Sequence, residues 1–410
     1  MKRIALVLAS LLAVTALTAC GGPPLPPAPT EPRKSVMIGK LGKTEMFLHT
    51  TKIYDPLKVP YTPFNGEPSQ VPYFKPVRDE GIRNRDYPVY DPKTFKFLAL
   101  PTAAIPPQDY YMFVKNGGTL NPALKPLGYK AVDIIDTGHI KILPNLYVGY
   151  YDFAWVPFAV MTEYWSGNES MDPELWKRGD GYVIIGNSTD GDSSLMAPNA
   201  FTDPTKLAGK KVGIMNVSLN TEALFNKKLN TMGLATSAAG GNVDIEMGTP
   251  GFVMNDLVAK KLAAVFSWSV YTKVLQRTMG YHELIPWQDL GYDGKLSNVV
   301  LVVRRDILEK HPDVVKKVVE LNYAATQRAV KDGDYAEPAA KRYQDWDNAY
   351  MGDHMRVSTL GVPNLDADIN RVYVSDVYDY MVKCGYFKTQ YPLGTLMDLT
   401  YEDAVARLNP

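Results

Sequence analysis

From Phe95 onward, short apolar runs alternate with longer stretches whose apolar positions recur at helical spacing, and Gly, Pro, Asn and Asp mark the turns between them. Phe95 to Leu100 reads as a strand ending in the turn-prone Pro101-Thr102-Ala103-Ala104. Tyr110 to Val114 reads as helix, Lys130 to Ile135 as strand, Pro144 to Tyr151 as a short helix, Asp152 to Val156 as strand, Ala159 to Trp165 as helix and Tyr182 to Ile185 as a buried strand. A second unit follows Leu207-Ala208-Gly209-Lys210-Lys211: strand to Met215, helix Thr221 to Met232 stopped by Gly233, strand Val243 to Ile245, helix Phe252 to Lys261 and strand Ala263 to Phe266. Val299 to Val303 is a further strand, and Asp306 to Val330 is helical with Pro312 near a helix start and Val314, Val315, Val318 and Val319 on one face. This alternation predicts an α/β fold with largely parallel sheets. Ahead of it, Pro32 to Pro92 is dense in Pro, Tyr and charge with weak periodicity, which predicts short strands and loops wrapped on the body. No internal repeat is visible.

The first twenty residues follow another pattern. Met1-Lys2-Arg3 precedes a mostly apolar run from Ile4 to Leu17, and Leu17-Thr18-Ala19-Cys20 leads into Gly21-Gly22-Pro23-Pro24. A basic start, a short apolar stretch and small residues before a cut are what a secretory signal needs. The stretch falls short of the roughly 20 apolar residues a spanning helix takes. A leucine three positions before a cysteine resembles the bacterial lipobox, so Cys20 is the expected lipidated first residue of the mature chain. A plain signal cut nearby would leave Cys20 a spare thiol; both outcomes export the protein. Residues 1–19 are thus expected to be signal peptide and 20–34 the lipidated cysteine with a Pro-rich tether, a composition that favours extended polyproline backbone. No later segment offers about 18 uninterrupted apolar residues, so the membrane is expected to be reached only through lipid on Cys20.

Charge and cysteine content narrow the function. Lys plus Arg and Asp plus Glu both number 44 and no basic stripe is visible, which disfavours a nucleic-acid partner. The 410 residues leave room for two or three domains and a large core. With lipid on Cys20, Cys384 is alone, a disulfide framework is excluded, and stability must come from packing. Cys384 ends a helical pattern closed by Gly385 and reads as a small buried residue. GxSxG, Walker A and GxGxxG patterns are missing, and His49, His139, His282, His311 and His354 are scattered without metal-ligand spacing. No catalytic residue, metal or cofactor is assigned.

Polar and aromatic residues do stand just after strands, where open parallel sheets bind ligands. Asn216-Val217-Ser218-Leu219-Asn220-Thr221 is a strand end, a polar turn and a helix start; its side chains serve as N-caps, as ligand contacts, or as both. Ala154-Trp155-Val156-Pro157-Phe158 and Ser267-Trp268-Ser269-Val270-Tyr271 share this placement, so Trp155 and Trp268 would sandwich a flat or apolar ligand portion, with core packing as the competing account. Gly191-Asp192-Ser193-Ser194-Leu195 is a further polar turn.

At these residues the chain resembles a known family. Leu207-Ala208-Gly209-Lys210-Lys211-Val212-Gly213-Ile214, Asn298 to Asp306 and Glu309-Lys310-His311-Pro312-Asp313-Val314-Val315 are similar to the solute-binding proteins of ABC importers for nitrate, taurine, alkanesulfonates and thiamine-pyrimidine precursors. The resemblance implies a two-lobe type II periplasmic-binding-protein fold, each lobe a mainly parallel sheet flanked by helices, joined by two crossing strands near Leu195 to Pro198 and Asn298 to Val302. It implies lobe one over 95–195 and 298–410, the latter with the C-terminal helices, lobe two over 196–297, and an added segment 35–94 packed on the body. Ligand contacts would map onto Thr102, Ala103, Trp155, Val156, Pro157, Ser193, Ser194, Ser218, Asn220, Thr221 and Trp268. The implied role is capture of a small organic molecule, without chemistry, for an ABC permease. Aromatic loops without an Arg clamp favour a ring compound, with a sulfonate-like one kept open; Arg304 and Arg305 face either the cleft or surface partners. The alternatives are an envelope sensing or assembly protein on the same fold, and an enzyme akin to thiamine-pyrimidine synthases, for which the two cysteines are too few.

Overall fold

A computed structural model describes residues 35–41, 44–49, 93–99, 107–135, 151–167, 181–191, 193–215, 218–248, 250–267, 279–332 and 365–408, with isolated residues between 142 and 149 and between 272 and 276. The described strands are β1 Ser35–Leu41, β2 Thr44–His49, β3 Thr94–Ala99, β4 Lys130–Ile135, β5 Phe153–Pro157, β6 Tyr182–Asp190, β7 Ser194–Pro198, β8 Lys211–Met215, β9 Asp244–Gly248, β10 Ala264–Ser267, β11 Tyr281–Ile285 and β12 Ser297–Arg304. The longer helices are α1 Phe158–Ser166, α2 Leu219–Asn230, α3 Pro250–Val258, α4 Pro312–Asp332, α5 Arg371–Lys383 and α6 Thr400–Leu408. No helix among the described residues is long and apolar enough to cross a membrane.

Two sheets make two lobes. Lobe one has the order β4-β3-β5-β12-β6, and lobe two the order β1-β2-β9-β8-β10-β7-β11. In lobe one β3 pairs parallel with β4 and β5, while β12 runs antiparallel between β5 and β6. In lobe two β8, β9 and β10 are parallel, and β7 runs antiparallel beside β10 and β11. The mainly parallel reading thus holds, with β1, β7 and β12 as the reversed strands. Of the front segment, β1 and β2 form a hairpin whose second strand pairs parallel with β9 at the edge of lobe two. The chain passes between lobes at 191–193 and again at 286–296, since β7 already belongs to lobe two and β12 to lobe one. Leu195 to Pro198 and Asn298 to Val302, expected at the crossings, lie instead within the two sheets.

Sequence explains most elements directly. β5 and β12 are nearly unbroken apolar runs because helices cover both faces of the lobe-one sheet. On one face α4 lays Val314, Val315, Val318, Val319 and Ala325 against Phe97, Trp155 and Leu301. On the other face, a single core runs from Val156, Phe158 and Met161 in lobe one through Tyr373, Val377 and Met381 of α5 to Ile214, Leu219 and Phe225 in lobe two. A smaller core under α3 joins Met196, Val253, Leu257 and Val265. β6 outruns its apolar half: Asn187, Ser188, Thr189 and Asp190 are also buried strand, because β12 pairs with this end through Val300, Val299 and Ser297.

Candidate functional site

The C-terminal ends of β3, β4, β5 and β6 form one rim of lobe one, and those of β8, β9 and β10 one rim of lobe two. Only residues 191–193 separate Asp190 from Ser194, so the rims face each other. α1 starts on the first rim directly after Pro157, α2 starts on the second after Ser218, and the two helices pack together.

Ser218, Asn220 and Thr221 form one buried cluster at the start of α2. The Ser218 hydroxyl donates to Asn220 Oδ1 at 2.9 Å and shares a hydrogen with Thr221 Oγ1 at 2.7 Å. Ser218 holds the N-cap position, yet its hydroxyl caps no backbone N–H. Asn220 Nδ2 donates to the Tyr373 hydroxyl at 3.0 Å. The Tyr373 ring meets Phe158 edge-to-face at 5.5 Å and tilts against Tyr292 at 5.4 Å. Residues at Pro157-Phe158 from lobe one and at Ser218 to Thr221 from lobe two therefore lie on either side of one tyrosine from α5. Burial pushes that phenol well above its ordinary value, so it stays neutral and can both accept and donate.

Ser194 is at the first crossing. Its hydroxyl donates to Glu283 Oε2 at 2.8 Å and accepts from the Trp287 N–H at 3.1 Å, which ties the two crossings through side chains. Ser193 beside it is partly exposed. The Gly191 N–H donates to Leu296 O at 2.6 Å, and a Cβ on Gly191 would sit 2.9 Å from Leu296 Cβ, so only glycine permits this approach of the crossings.

Trp155 does not reach the rim. It lies in β5, 0 % exposed, with Nε1 donating to Asn322 Oδ1 at 2.9 Å and its ring 5.8 Å from Phe97. Strand alternation sends Trp155 toward α4 and Val156 toward the inter-lobe core. Its placement as half of a tryptophan sandwich is thereby corrected: the polar Asn322 on α4 gives the indole N–H a partner away from the cleft. Thr102, Ala103, Trp268 and Cys20 lie outside the described residues. Arg304 and Arg305 sit at the far end of the lobe-one sheet. Arg304 donates to Asp152 Oδ1 at 3.0 Å and to Asp306 Oδ1 at 2.8 Å, and Arg305 to Thr395 O, so neither faces the rim.

Two features escaped sequence reading. Phe158, Tyr292 and Tyr373 gather from three distant segments, and only the recurrence of Tyr373 and Tyr380 one heptad apart hinted at a functional face. The polar end of β6 is the second. Asp190, 2 % exposed, accepts from Asn187 Nδ2 at 3.1 Å, and burial with the Asp366 carboxylate beside it pushes its pKa up to about 7. Asn187 Oδ1 and Thr189 Oγ1 have no hydrogen-bond partner among the described residues. Ser188 donates to Gln108 Oε1 at 2.5 Å, and Gln108 Nε2 donates to Thr326 Oγ1 of α4 at 2.8 Å. No group of three or more His, Cys, Asp or Glu among the described residues could hold a metal ion.

Residues 185–336 match the family model described as NMT1/THI5 like, a stretch that contains the Leu207 to Val315 motifs and all of lobe two from β7 to β11. No curated protein matches the chain. Among solved structures, a putative periplasmic sulfonate-binding protein of a sulfonate ABC transporter from Methylobacillus flagellatus KT matches at 14 % identity and TM-score 0.55, over 78 % of this chain and 96 % of that one. The periplasmic aliphatic sulphonate binding protein from Escherichia coli matches at 13 % identity and TM-score 0.54, over 75 % and 92 %. The ligand-binding component of an ABC-type import system from Staphylococcus aureus, with zinc bound, matches at 10 % identity and TM-score 0.54, over 77 % and 99 %. The two-lobe fold of periplasmic binding proteins is the fold of this chain.

Proposed function

We propose that this protein is an extracytoplasmic solute-binding protein that takes a small organic molecule between its lobes and presents it to an ABC permease. The observation that carries this reading is the pairing of two strand-end rims, each opening a helix, across two short chain crossings. A molecule held there contacts both lobes, and only such a ligand can favour closure. Sulfonate-binding proteins of the same fold support a small polar ligand, while Phe158 and Tyr292, whose rings both meet the Tyr373 ring, favour an aromatic or heterocyclic body. We further propose that lipid on Cys20 holds the protein to a membrane of the cell envelope; Cys20→Ser would then move it from the membrane to the soluble fraction. The binding test is thermal-shift screening against flavins, pyrimidines, alkanesulfonates and aromatic acids, where saturable stabilisation is expected. A flat response to all four classes would discard capture of these solutes.

One observation favours a second reading. The inter-lobe core is continuous and includes residues of α5, which suits a sensing or assembly protein whose lobes seldom part.

A further inference from the structure

The C-terminal segment leaves lobe one and returns to it. Leu365 bridges to Thr189 of β6 and Ala367 O accepts from Asn187 N at 3.1 Å, so the segment starts on lobe one. Asn370 then pins it to the second crossing: its N–H donates to Ser297 Oγ at 3.0 Å, its Nδ2 to Lys295 O at 2.7 Å, and its Oδ1 caps α5 by accepting from Tyr373 N. α5 itself lies along α2 of lobe two. After α5 the chain comes back, with Met397 bridging to Ile184 and Asp398 N donating to Ile184 O at 2.9 Å, and α6 packs on α4.

The grip of α5 on lobe two is chemically specific. Glu222 of α2, 0 % exposed, accepts from the Tyr380 hydroxyl at 2.9 Å and from the Tyr386 hydroxyl at 2.8 Å. Tyr380 also shares a hydrogen bond with Thr236 at 2.8 Å. Two phenols donate to this buried carboxylate, so lifting α5 removes two charge-assisted hydrogen bonds from a buried acceptor. Lys227 pairs with Asp376 at 2.6 Å, and the Tyr292 hydroxyl donates to the same carboxylate. Tyr373 adds the contact that spans the lobes, with its hydroxyl on Asn220 and its ring on Phe158.

We propose that residues 365–398 are a built-in clasp: rooted in lobe one at both ends, gripping lobe two in the middle, and occupying through Tyr373 the place between the rims that a cargo molecule would take. Opening the cleft then means lifting α5 from α2, and a molecule entering the cleft competes with Tyr373 for Asn220 and Phe158. The clasp rests on these contacts and not on the identity of any cargo. Double electron–electron resonance on the full chain, with spin labels on Lys206→Cys in lobe two and Lys316→Cys in lobe one and with Cys20→Ser and Cys384→Ala, measures it without added solute. One narrow distance is expected with the clasp intact, and a second, longer population in Tyr373→Ala and in Glu222→Gln. A broad open distribution with the intact clasp overturns the proposal, as does an unchanged distribution in a folded Tyr373→Ala chain. Should circular dichroism find Tyr373→Ala unfolded, Tyr373→Phe, which keeps the ring and removes only the acceptor for Asn220, must broaden the distribution; an unchanged one overturns the clasp. Solute screening of the same variants is read separately, so loss of the clasp and loss of the transport reading remain distinguishable.

Discussion

Trp155 has one polar atom, and the position of its partner decides which side of the strand the ring occupies. With Asn322 on α4 as acceptor, the indole belongs to the lobe-one core. Trp155→Phe leaves Asn322 Oδ1 buried without its donor and should lower the unfolding free energy by about 1–3 kcal/mol in urea titration. A stability equal to wild type would refute the structural importance of that bond. Gly191 is a second single-residue constraint, because Leu296 fills the space a Cβ needs. Gly191→Ala should cost about 1–3 kcal/mol through overpacking at the crossings, measured by the same titration. Residue-level reading from sequence was strongest where one physical term dominates: Cys384, buried at a helix end closed by Gly385, is where its apolar surroundings placed it. It failed for Trp155, since a strand of all-apolar residues carries no mark of which face meets which partner.

Among elements, α5 is held by ionisable groups at its root. Burial and Asp366 push Asp190 from the ordinary 3.8 up to about 7, against Lys295 and the Asn187 amide. Burial, with Asp368 and Asp403 nearby, pushes Glu402 from 4.5 up to about 8, against Arg371 and the Ile369 N–H. The folded chain keeps both protons in a range where the unfolded chain has released them, so stability falls as pH rises from about 4 to about 8 and levels beyond. Thermal midpoints taken across that range should decline, and Asp190→Asn with Glu402→Gln should flatten the decline; an undiminished slope would assign it elsewhere. Sequence periodicity found β8, β9, β10, β12 and α2 within a few residues, while the single helix read over Asp306 to Val330 is broken at His311 into Arg305–Lys310 and α4. Periodicity stopped β6 at Ile185, where the apolar run ends, whereas β12 pairs on through Asn187, Thr189 and Asp190, and Gln108 and α4 bond to the backbone there.

At the scale of the molecule, two sheets and one inter-lobe core make a body that the C-terminal segment completes. Removing residues 365–410 would uncover Phe158, whose ring meets Tyr373, and Ala223 and Leu224 of α2, which lie beside Val377 and Tyr380. Such a chain should bind a hydrophobic dye such as ANS and lose its sharp calorimetric transition; a sharp transition without dye binding would mean that the lobes do not need this cover. An α/β fold with largely parallel sheets was legible from the order of strand and helix signals, which are local patterns, and its division into two lobes was implied by the family resemblance of the Leu207 to Val315 motifs. How the lobes meet was not legible, since it rests on Phe158, Asn220 and Tyr373, which approach only after folding. The β1–β2 hairpin adds a mechanical consequence. It fastens the first described strands to the β9 edge of lobe two, so a pull transmitted to Ser35 is borne by lobe two. Under the proposed lipid on Cys20, lobe two would be the half held at the membrane and lobe one, with α4 and α6, the half left free to move.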